Sequence, residues 1–326
     1  MKKTVILSVV LMTFLLLVGC TGGSSDKNVI TIYTSSDENV SSMMQSMLKD
    51  KFPDDEILIE YMPTGKHAAR LLAEGVNTEC DISYDLEYGY LEKLDKEEIF
   101  AKVKVDTSIF VDDLVKDNYV PSCRYGGAIV VNTDIMKDKG LDMPEKYEDL
   151  LDPKYKDFIA MPNPKMSGTG YMFYKSLVNA WGEEKAIKYF SDLSDNILQY
   201  TDSGSGPVNM LTQGEIAIGF GMSSHAALKI SEESPLEILI FDEGSPYTAC
   251  GAAIIKGKED NEKVIEIYDY IYEEITPKAC EMYYPEKIYK NLDFVMDNYP
   301  LNINYSDMHD NTQEEKERLL ELWPIN

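Results

Sequence analysis

The sequence is poor in basic side chains and in residues that commonly hold metals. Its 31 lysines and arginines face 57 aspartates and glutamates, and the formal net charge is −26. This excess of acidic groups excludes nonspecific binding to nucleic acid and gives no attraction to an anionic membrane surface. Only three histidines are present, and no CxxC pair or Cys/His cluster has the spacing of a zinc site. We therefore predict no nucleic-acid partner, no cofactor and no metal site.

Cysteine is also scarce, with five in 326 residues. Four of them, Cys80, Cys123, Cys250 and Cys280, lie in the body of the chain. Four cysteines allow three disulfide connectivities, and the sequence does not choose among them. We interpret them as mostly free, buried thiols.

The N-terminus carries an export signal. Lys2 and Lys3 precede an apolar run at 5–18, and Leu17-Val18-Gly19-Cys20 ends it. A basic start, a short apolar run and a small residue before cysteine resemble a bacterial lipoprotein signal and are too short for a membrane span. The prediction is a signal peptide at 1–19, lipidation of Cys20 with attachment to the membrane through the lipid, and a flexible tether at 20–28.

Strands and helices alternate in the first hundred residues of the body. Apolar, β-branched runs at 29–34, 57–61 and 80–84 are each followed by a helical pattern. A β-α-β-α-β order predicts a mostly parallel sheet with helices on both faces. Ligands of such sheets lie beyond the carboxyl ends of the strands, where Ser35 and Ser36 follow the first one.

Two longer strands, predicted at 124–132 and 247–256, divide the chain. One lobe is predicted at 29–124 plus 248–326, with C-terminal helices that could pack on the other lobe, and the second lobe is predicted at 125–247. The two long strands would cross between the lobes as a hinge near Gly127 and Gly251.

Glycine-serine loops open two helices of the second lobe. In the segment 161–171, Ser167 is placed as an N-cap, Gly168 and Gly170 allow close approach of the backbone, and Thr169 adds a hydroxyl in the first turn. The free N–H groups of such a turn can bind an anion.

The same chemistry recurs twice further along the chain. A second glycine-serine loop at 201–207 contains Ser203, and a buried strand predicted at 214–221 leads to Ser223 and Ser224.

This arrangement resembles the extracellular solute-binding proteins of bacterial ABC importers, in the group that contains ferric-iron, organophosphonate, thiamine and polyamine binders. The matching segments are 65–74 with 80–82, 153–157 with 161–164, 167–170, 203–205, 214–219 and 253–257. The resemblance implies a two-lobed periplasmic-binding-protein fold of type II. It also implies a monomer that captures a small solute between its lobes and passes it to an ABC permease and its ATPase.

The resemblance also bears on the ligand. Ferric-binding members place adjacent tyrosines after the strand that here precedes Ser223 and Ser224. Serine hydroxyls are poor ferric ligands and good donors to an oxyanion. We interpret the other adjacent pair, Tyr283 and Tyr284, as packing in a helical region. The first prediction is an organophosphonate such as 2-aminoethylphosphonate or a phosphate ester; ferric iron with a synergistic anion, thiamine or a polyamine are the alternatives.

The predicted ligand site collects the polar residues at strand ends and helix starts. Lys66 could add a positive charge, and Tyr84, Asp85 and Tyr247 could hold an amine on the ligand. The predicted ligand-binding residues are Ser35, Ser36, Lys66, Tyr84, Asp85, Ser167, Gly168, Thr169, Gly170, Ser203, Ser223, Ser224 and Tyr247.

An exported hydrolase is the alternative from another class, since glycine-serine turns also hold nucleophiles. No GxSxG elbow is present, and His67, His225 and His309 lack evident partners for a catalytic triad. We therefore predict a binding protein without catalytic residues.

Overall fold

The computed structural model of the protein describes residues 29–325. The predicted signal peptide at 1–19, the tether at 20–28 and the lipidation site Cys20 lie outside the described residues. Among the helices at 29–325, none combines the length and the apolar character that a membrane crossing needs.

Nine strands and eleven α-helices make up the described part of the chain. The strands are β1 (Val29–Thr34), β2 (Glu56–Tyr61), β3 (Ile82–Glu87), β4 (Val120–Asn132), β5 (Ile159–Pro162), β6 (Ile197–Thr201), β7 (Ile218–Met222), β8 (Leu236–Leu239) and β9 (Tyr247–Ile254). The helices are α1 (Glu38–Lys51), α2 (Thr64–Glu74), α3 (Tyr88–Lys96), α4 (Thr133–Lys139), α5 (Gly168–Trp181), α6 (Glu183–Leu193), α7 (Gly206–Gln213), α8 (Ser223–Ser231), α9 (Glu262–Tyr270), α10 (Thr276–Tyr283) and α11 (Gln313–Leu322). A π-helical segment, Ile271–Ile275, joins α9 to α10.

The strands form one continuous ladder with the order β2-β1-β3-β9-β4-β7-β5-β6, and β8 also pairs with β4. The first half-sheet consists of β2, β1 and β3, which are parallel, and β9, which is antiparallel to β3. The second half-sheet consists of β7, β5 and β6, which are parallel, and of β8. The prediction of an α/β fold with mostly parallel sheets is confirmed.

The chain passes from one half-sheet to the other along β4 and returns at β9. The first part of β4, up to Gly126, pairs with β9, and the part from Gly127 to Val131 pairs with β7. A side chain at Gly127 would lie within 2.6 Å of Met172 and 2.8 Å of Phe173, so the crossing packs closely against α5. The lobe boundaries at 29–124 plus 248–326 and at 125–247 stay a prediction.

Several strands differ from their predicted bounds. Strand β4 begins at Val120, four residues before the predicted start at 124, and β9 ends at Ile254, two residues before the predicted end at 256. Strand β3 was expected at 80–84 but spans Ile82–Glu87, because a bulge between Ser83 and Leu86 lets pairing continue past Asp85. Asp85 itself has a φ of 60°, which is rare for a residue other than glycine. Strand β7 spans Ile218–Met222 and is shorter than the predicted 214–221, because Gly214 still caps α7 and pairing with β4 begins only at Ile218.

The C-terminal helix α11 contacts elements of both half-sheets. Lys96 of α3 pairs with Glu314 at 2.7 Å, and Lys175 of α5 lies 3.5 Å from Glu315. The next residue of α11, Lys316, pairs with Glu87 at the end of β3, and both side chains are buried. Beyond the helix, the ring of Trp323 packs against aromatic side chains of the second half: Tyr174, Phe190 and Tyr200.

Candidate functional site

Five helices begin at one cleft between the half-sheets. Helices α1, α2, α5, α7 and α8 each follow a strand, and residues of all five junctions line the same space. The first-turn N–H groups of a helix lack intrahelical partners and carry the positive end of its dipole, so those that no side chain caps can donate to an oxyanion. The N–H groups of Asn39 and Val40 are capped by Asp37, and that of Gly170 is capped by Ser167. The free volume of the cleft is about 40 Å³, enough for only a few waters. Four of its lining residues, Asp37, Tyr61, Ser203 and Ser205, also line an adjoining pocket of about 510 Å³.

The lining residues are Ser35, Asp37, Tyr61, Pro63, Thr64, Asp85, Tyr125, Ser167, Gly168, Thr169, Asp202, Ser203, Gly204, Ser205, Met222, Cys250 and Tyr284. Six of the thirteen predicted ligand-binding residues are among them: Ser35, Asp85, Ser167, Gly168, Thr169 and Ser203.

The two glycine-serine loops of the second half meet in the cleft. The hydroxyl of Ser167 accepts a bond of 3.4 Å from the N–H of Gly170, which makes it the N-cap of α5. Thr169 is buried against Gly204, where an added Cβ would lie 2.1 Å from the Thr169 hydroxyl. The loops therefore touch only because residue 204 is glycine. Gly170 faces Pro162 instead, because an added Cβ would lie 2.4 Å from the carbonyl oxygen of Pro162.

A buried histidine supports the cleft from behind Ser35. The Ser35 hydroxyl lies 2.9 Å from Nδ1 of His67, and Nε2 of that ring lies 3.1 Å from the hydroxyl of Ser83. Burial, with the charge of Arg70 nearby, lowers the pKa of His67 to about 3. His67 is therefore neutral at physiological pH, and it orients Ser35 through hydrogen bonds without adding charge.

Asp85 is a buried carboxyl group at the cleft. Its oxygens accept bonds from the hydroxyls of Ser36 and Ser122, each at 2.8 Å, and from the thiol of Cys123 at 3.2 Å. Burial raises the pKa of Asp85 above its ordinary value, and the bonds from Cys123, Ser122 and Ser36 offset part of that shift. A cationic group beside Asp85 would favour the ionised carboxylate. Ser36, one of the predicted residues, thus acts on the site through Asp85.

The cleft also contains acidic and aromatic side chains that were not predicted as ligands. Asp37 and Asp202 join Asp85, whereas no lysine or arginine from residues 29–325 lines the cleft. Asp37 could have been found from sequence, since it follows Ser35-Ser36 as an N-cap and accepts from the N–H of Asn39 and Val40.

Two buried tyrosines complete one wall. Tyr125 lies on the crossing strand β4, and Tyr284 follows α10, with ring centroids 6.1 Å apart. The interpretation of Tyr284 as packing is therefore incomplete, because this side chain also lines the cleft. Burial raises the pKa of both phenols well above the ordinary value.

The remaining predicted residues lie away from the lining. Lys66 is exposed on α2, and Tyr84 points into the apolar core. Ser223 and Ser224 are buried at the start of α8, behind Met222. Tyr247 contacts another surface, where the guanidinium of Arg124 lies 5.8 Å from the centre of its ring.

The cysteines of the body are buried and unpaired, as the sequence predicts. Cys123 and Cys250 lie opposite each other on β4 and β9, and Cys250 reaches the cleft.

Comparison with known proteins identifies relatives of the chain. The sequence pattern of a family described as bacterial extracellular solute-binding protein matches residues 81–302. An uncharacterized protein of Haemophilus influenzae is 27% identical over 256 residues, which cover 74% of this chain and 73% of that protein.

Solved structures of similar fold include two periplasmic binding proteins. AfuA from Actinobacillus pleuropneumoniae, solved with exogenous fructose-6-phosphate bound, matches with a TM-score of 0.80 and 23% identity over 91% of this chain and 98% of that chain. A periplasmic thiamin binding protein matches with a TM-score of 0.75 and 18% identity over 93% and 97% of the two chains. These matches confirm the predicted periplasmic-binding-protein fold.

Proposed function

The chain belongs to the family of bacterial extracellular solute-binding proteins, and on that premise we propose that its cleft captures a small solute carrying both an oxyanion and an amine. Proteins of this family are binding proteins that deliver small-molecule solutes to ABC transporters, and they act outside the cytoplasm. The first candidate solute is an aminoalkylphosphonate such as 2-aminoethylphosphonate, and the second is a phosphate ester.

One observation carries the proposal: a single cleft combines five helix starts with three aspartates and, within residues 29–325, no lysine or arginine. The helix starts supply N–H groups, and Ser167, Thr169 and Ser203 supply hydroxyls, so an oxyanion finds donors without a dedicated cation. A phosphate ester in AfuA and thiamin in the second neighbour are consistent with solutes of this size and polarity.

The aspartates define the other end of the solute. A dianion alone would be repelled by Asp37, Asp85 and Asp202, whereas an ammonium group would be attracted to them. Asp85 is the strongest candidate partner of the ammonium group, since it is buried and its orientation is fixed by three donors.

Closure of the cleft follows from the distribution of these groups. Ser35 and Asp85 belong to the first half-sheet, and Ser167, Thr169 and Ser203 belong to the second. A solute that contacts both sets stabilises the closed state, because only there are all the contacts made. The crossing strands β4 and β9 connect the two sets as the hinge. The closed protein then docks as a monomer on an ABC permease with its ATPase, held at the membrane by a lipid on Cys20.

Ferric iron is the less favoured ligand. Fe³⁺ prefers phenolate and carboxylate oxygens, and the cleft offers Tyr125 and Tyr284. Burial raises the pKa of both phenols, which opposes the phenolate form. A purified protein that absorbs visible light after addition of ferric citrate would favour iron over the zwitterion.

The test is a matched series of ligands, measured by calorimetry and by thermal shift on the protein without its predicted signal peptide. Binding of 2-aminoethylphosphonate stabilises the native state, by about 2.7 kcal/mol at a hundredfold excess over Kd. Ethylphosphonate lacks the amine and ethylamine lacks the phosphonate, so each is expected to bind more weakly. Equal affinity of ethylphosphonate and 2-aminoethylphosphonate would contradict the role of the aspartates.

Two variants assign the ends of the solute. Thr169→Val keeps the shape of the side chain but removes a donor, so affinity should fall by about 1–3 kcal/mol for both phosphonates. Asp85→Asn should weaken 2-aminoethylphosphonate more than ethylphosphonate. Lys66→Gln, on the exposed face of α2, is the control and should bind like the wild type. Unchanged affinity in Thr169→Val would mean that this loop only starts its helix.

A further inference from the structure

Two thiols and one carboxyl group lie close together on one side of the cleft. Oδ of Asp85 and the sulfur atoms of Cys123 and Cys250 all lie within 4.8 Å of one another, and all three residues are buried. Within the described residues 29–325, this is the one group of three or more such side chains that stands close enough to hold a metal ion. Two of the three, Asp85 and Cys250, also line the cleft.

The three donor residues lie at or next to bulges in neighbouring strands. Cys123 on β4 and Cys250 on β9 are direct partners in the antiparallel ladder, next to a bulge between Pro121 and Cys123. Asp85 is brought to them by the bulge in β3 and by its left-handed conformation. Bulges and strained conformations of this kind cluster where a side chain must be aimed at a ligand.

Hydrogen bonds hold both carboxylate oxygens of Asp85. Ser36 donates to Oδ2 of Asp85, while Ser122 and the thiol of Cys123 donate to Oδ1. Hydrogen bonds that orient a ligating carboxylate are typical of metal sites. The distance of 3.2 Å between Oδ1 and the Cys123 sulfur is close to the separation of roughly 3.5 Å between ligands of a tetrahedral zinc ion.

We propose that Asp85, Cys123 and Cys250 form a binding site for a thiophilic metal ion of the Zn²⁺ type, with its fourth coordination position directed to the cleft. Two thiolates and a carboxylate match the ligand preference of Zn²⁺ and not that of Fe³⁺. Burial raises the pKa of both thiols, so the dication must displace both protons, and each metal bound releases two protons. A water completes the tetrahedron, and because the dication occupies Asp85, it competes with the ammonium group that we propose to pair there.

Metal binding at this site is a function distinct from the capture of a zwitterion, and experiments can distinguish the two functions. If solute binding persists in the presence of a chelator, the site is a separate metal-binding function of the same cleft. If metal binding fails while 2-aminoethylphosphonate still binds, only the metal proposal is overturned.

The experiment is a titration of the reduced protein, without its predicted signal peptide and with Cys20→Ser, using Cd²⁺ and Zn²⁺. One equivalent of Cd²⁺ should produce the ultraviolet charge-transfer absorption of cadmium thiolates, and Zn²⁺ should remove it by competition. Cys123→Ser and Cys250→Ser should each abolish the absorption or weaken the affinity by at least about tenfold. Asp85→Asn should keep the absorption and weaken the affinity.

The matched controls are Cys80→Ser and Cys280→Ser, which remove buried thiols outside this group and should leave the titration unchanged. Circular dichroism melting identifies any variant that does not fold, and Cys250→Ala then serves as a second replacement. Absorption that survives in the Cys123→Ser/Cys250→Ser double variant would overturn the assignment. So would a reduced wild-type protein that takes up no metal.

Discussion

Replacing Glu87 by glutamine is expected to reduce the free energy of unfolding by about 3–5 kcal/mol. Glu87 ends β3, and its carboxylate accepts from Lys316 of α11, with both side chains at most 2% exposed. The other carboxylate oxygen accepts from the N–H of Gly89 at 3.1 Å and from the hydroxyl of Thr248 at 3.3 Å. Glutamine keeps the size of the side chain but leaves the buried ammonium of Lys316 without a counter-charge.

The surroundings of Lys316 set the size of the effect. Burial lowers its pKa, but the charge of Glu87, with Tyr90 beside it, more than offsets this, so the pKa stays above its ordinary value. The ammonium lies 3.9 Å from the ring centre of Tyr90 and 4.7 Å from that of Tyr171. The faces of the two rings attract a desolvated cation by about 2 kcal/mol or more, so they offset part of the loss but do not replace the carboxylate.

Removing both charges should cost less than the two single changes added together. Lys316→Met leaves Glu87 with two donors, so its cost should lie toward the lower end of the same range. The Glu87→Gln/Lys316→Met double variant buries no isolated charge, and its loss should be clearly smaller than the sum of the two single losses.

Urea unfolding followed by the fluorescence of Trp181 and Trp323 measures all three variants. Glu314→Gln makes the same chemical change in an exposed ion pair of the same helix, and its unfolding midpoint should match that of the wild type. Additive losses in the double variant, or a loss below about 1 kcal/mol for Glu87→Gln, would refute the reasoning.

Two further predictions concern the cleft. Gly204→Ala should lower the free energy of unfolding by about 1–3 kcal/mol, because the added Cβ meets the Thr169 hydroxyl. In the same urea assay, combination with Thr169→Ala should recover part of the loss. No recovery would mean that the strain lies elsewhere. The pKa of Asp85 is raised in the folded state. At a pH between the ordinary value of 3.8 and this raised pKa, Asp85 is protonated in the folded state but ionised in the unfolded state. Its contribution to the free energy of unfolding therefore falls as pH rises through that window. The stability of Asp85→Asn relative to wild type, both without solute, should therefore increase with pH across it, and a constant difference would contradict the raised pKa.

Local patterns were enough to predict part of the backbone of the site. Strand β1 has the predicted bounds, and Ser167 caps α5 as its position before Gly168 indicates. These features depend on a few neighbouring residues, such as β-branched side chains in a strand or a hydroxyl before a helix. The order of strands and helices then places the carboxyl ends of β1, β5 and β6 at one cleft.

Side chains that depend on distant contacts were harder to predict. A bulge in β3 changes the alternation of side chains, so Tyr84 points into the core while Asp85 reaches the cleft. Tyr284 enters the lining from the C-terminal helices, where no strand end marks a site. The pairing of Cys123 with Cys250 depends on the register of β4 and β9, which no spacing in the sequence encodes.

The position of β9 in the chain has a consequence for the order of folding. In the finished sheet β9 covers the edge of β3, yet it begins at Tyr247, after all strands of the second half-sheet have been synthesised. Until then β3 presents an unpaired edge, which is a template for pairing with another chain. Pairings between distant segments also form slowly. We therefore expect a nascent or translocating chain to pass through an aggregation-prone stage that ends when β9 joins β3, and early truncations before Tyr247 should aggregate instead of folding as half a protein.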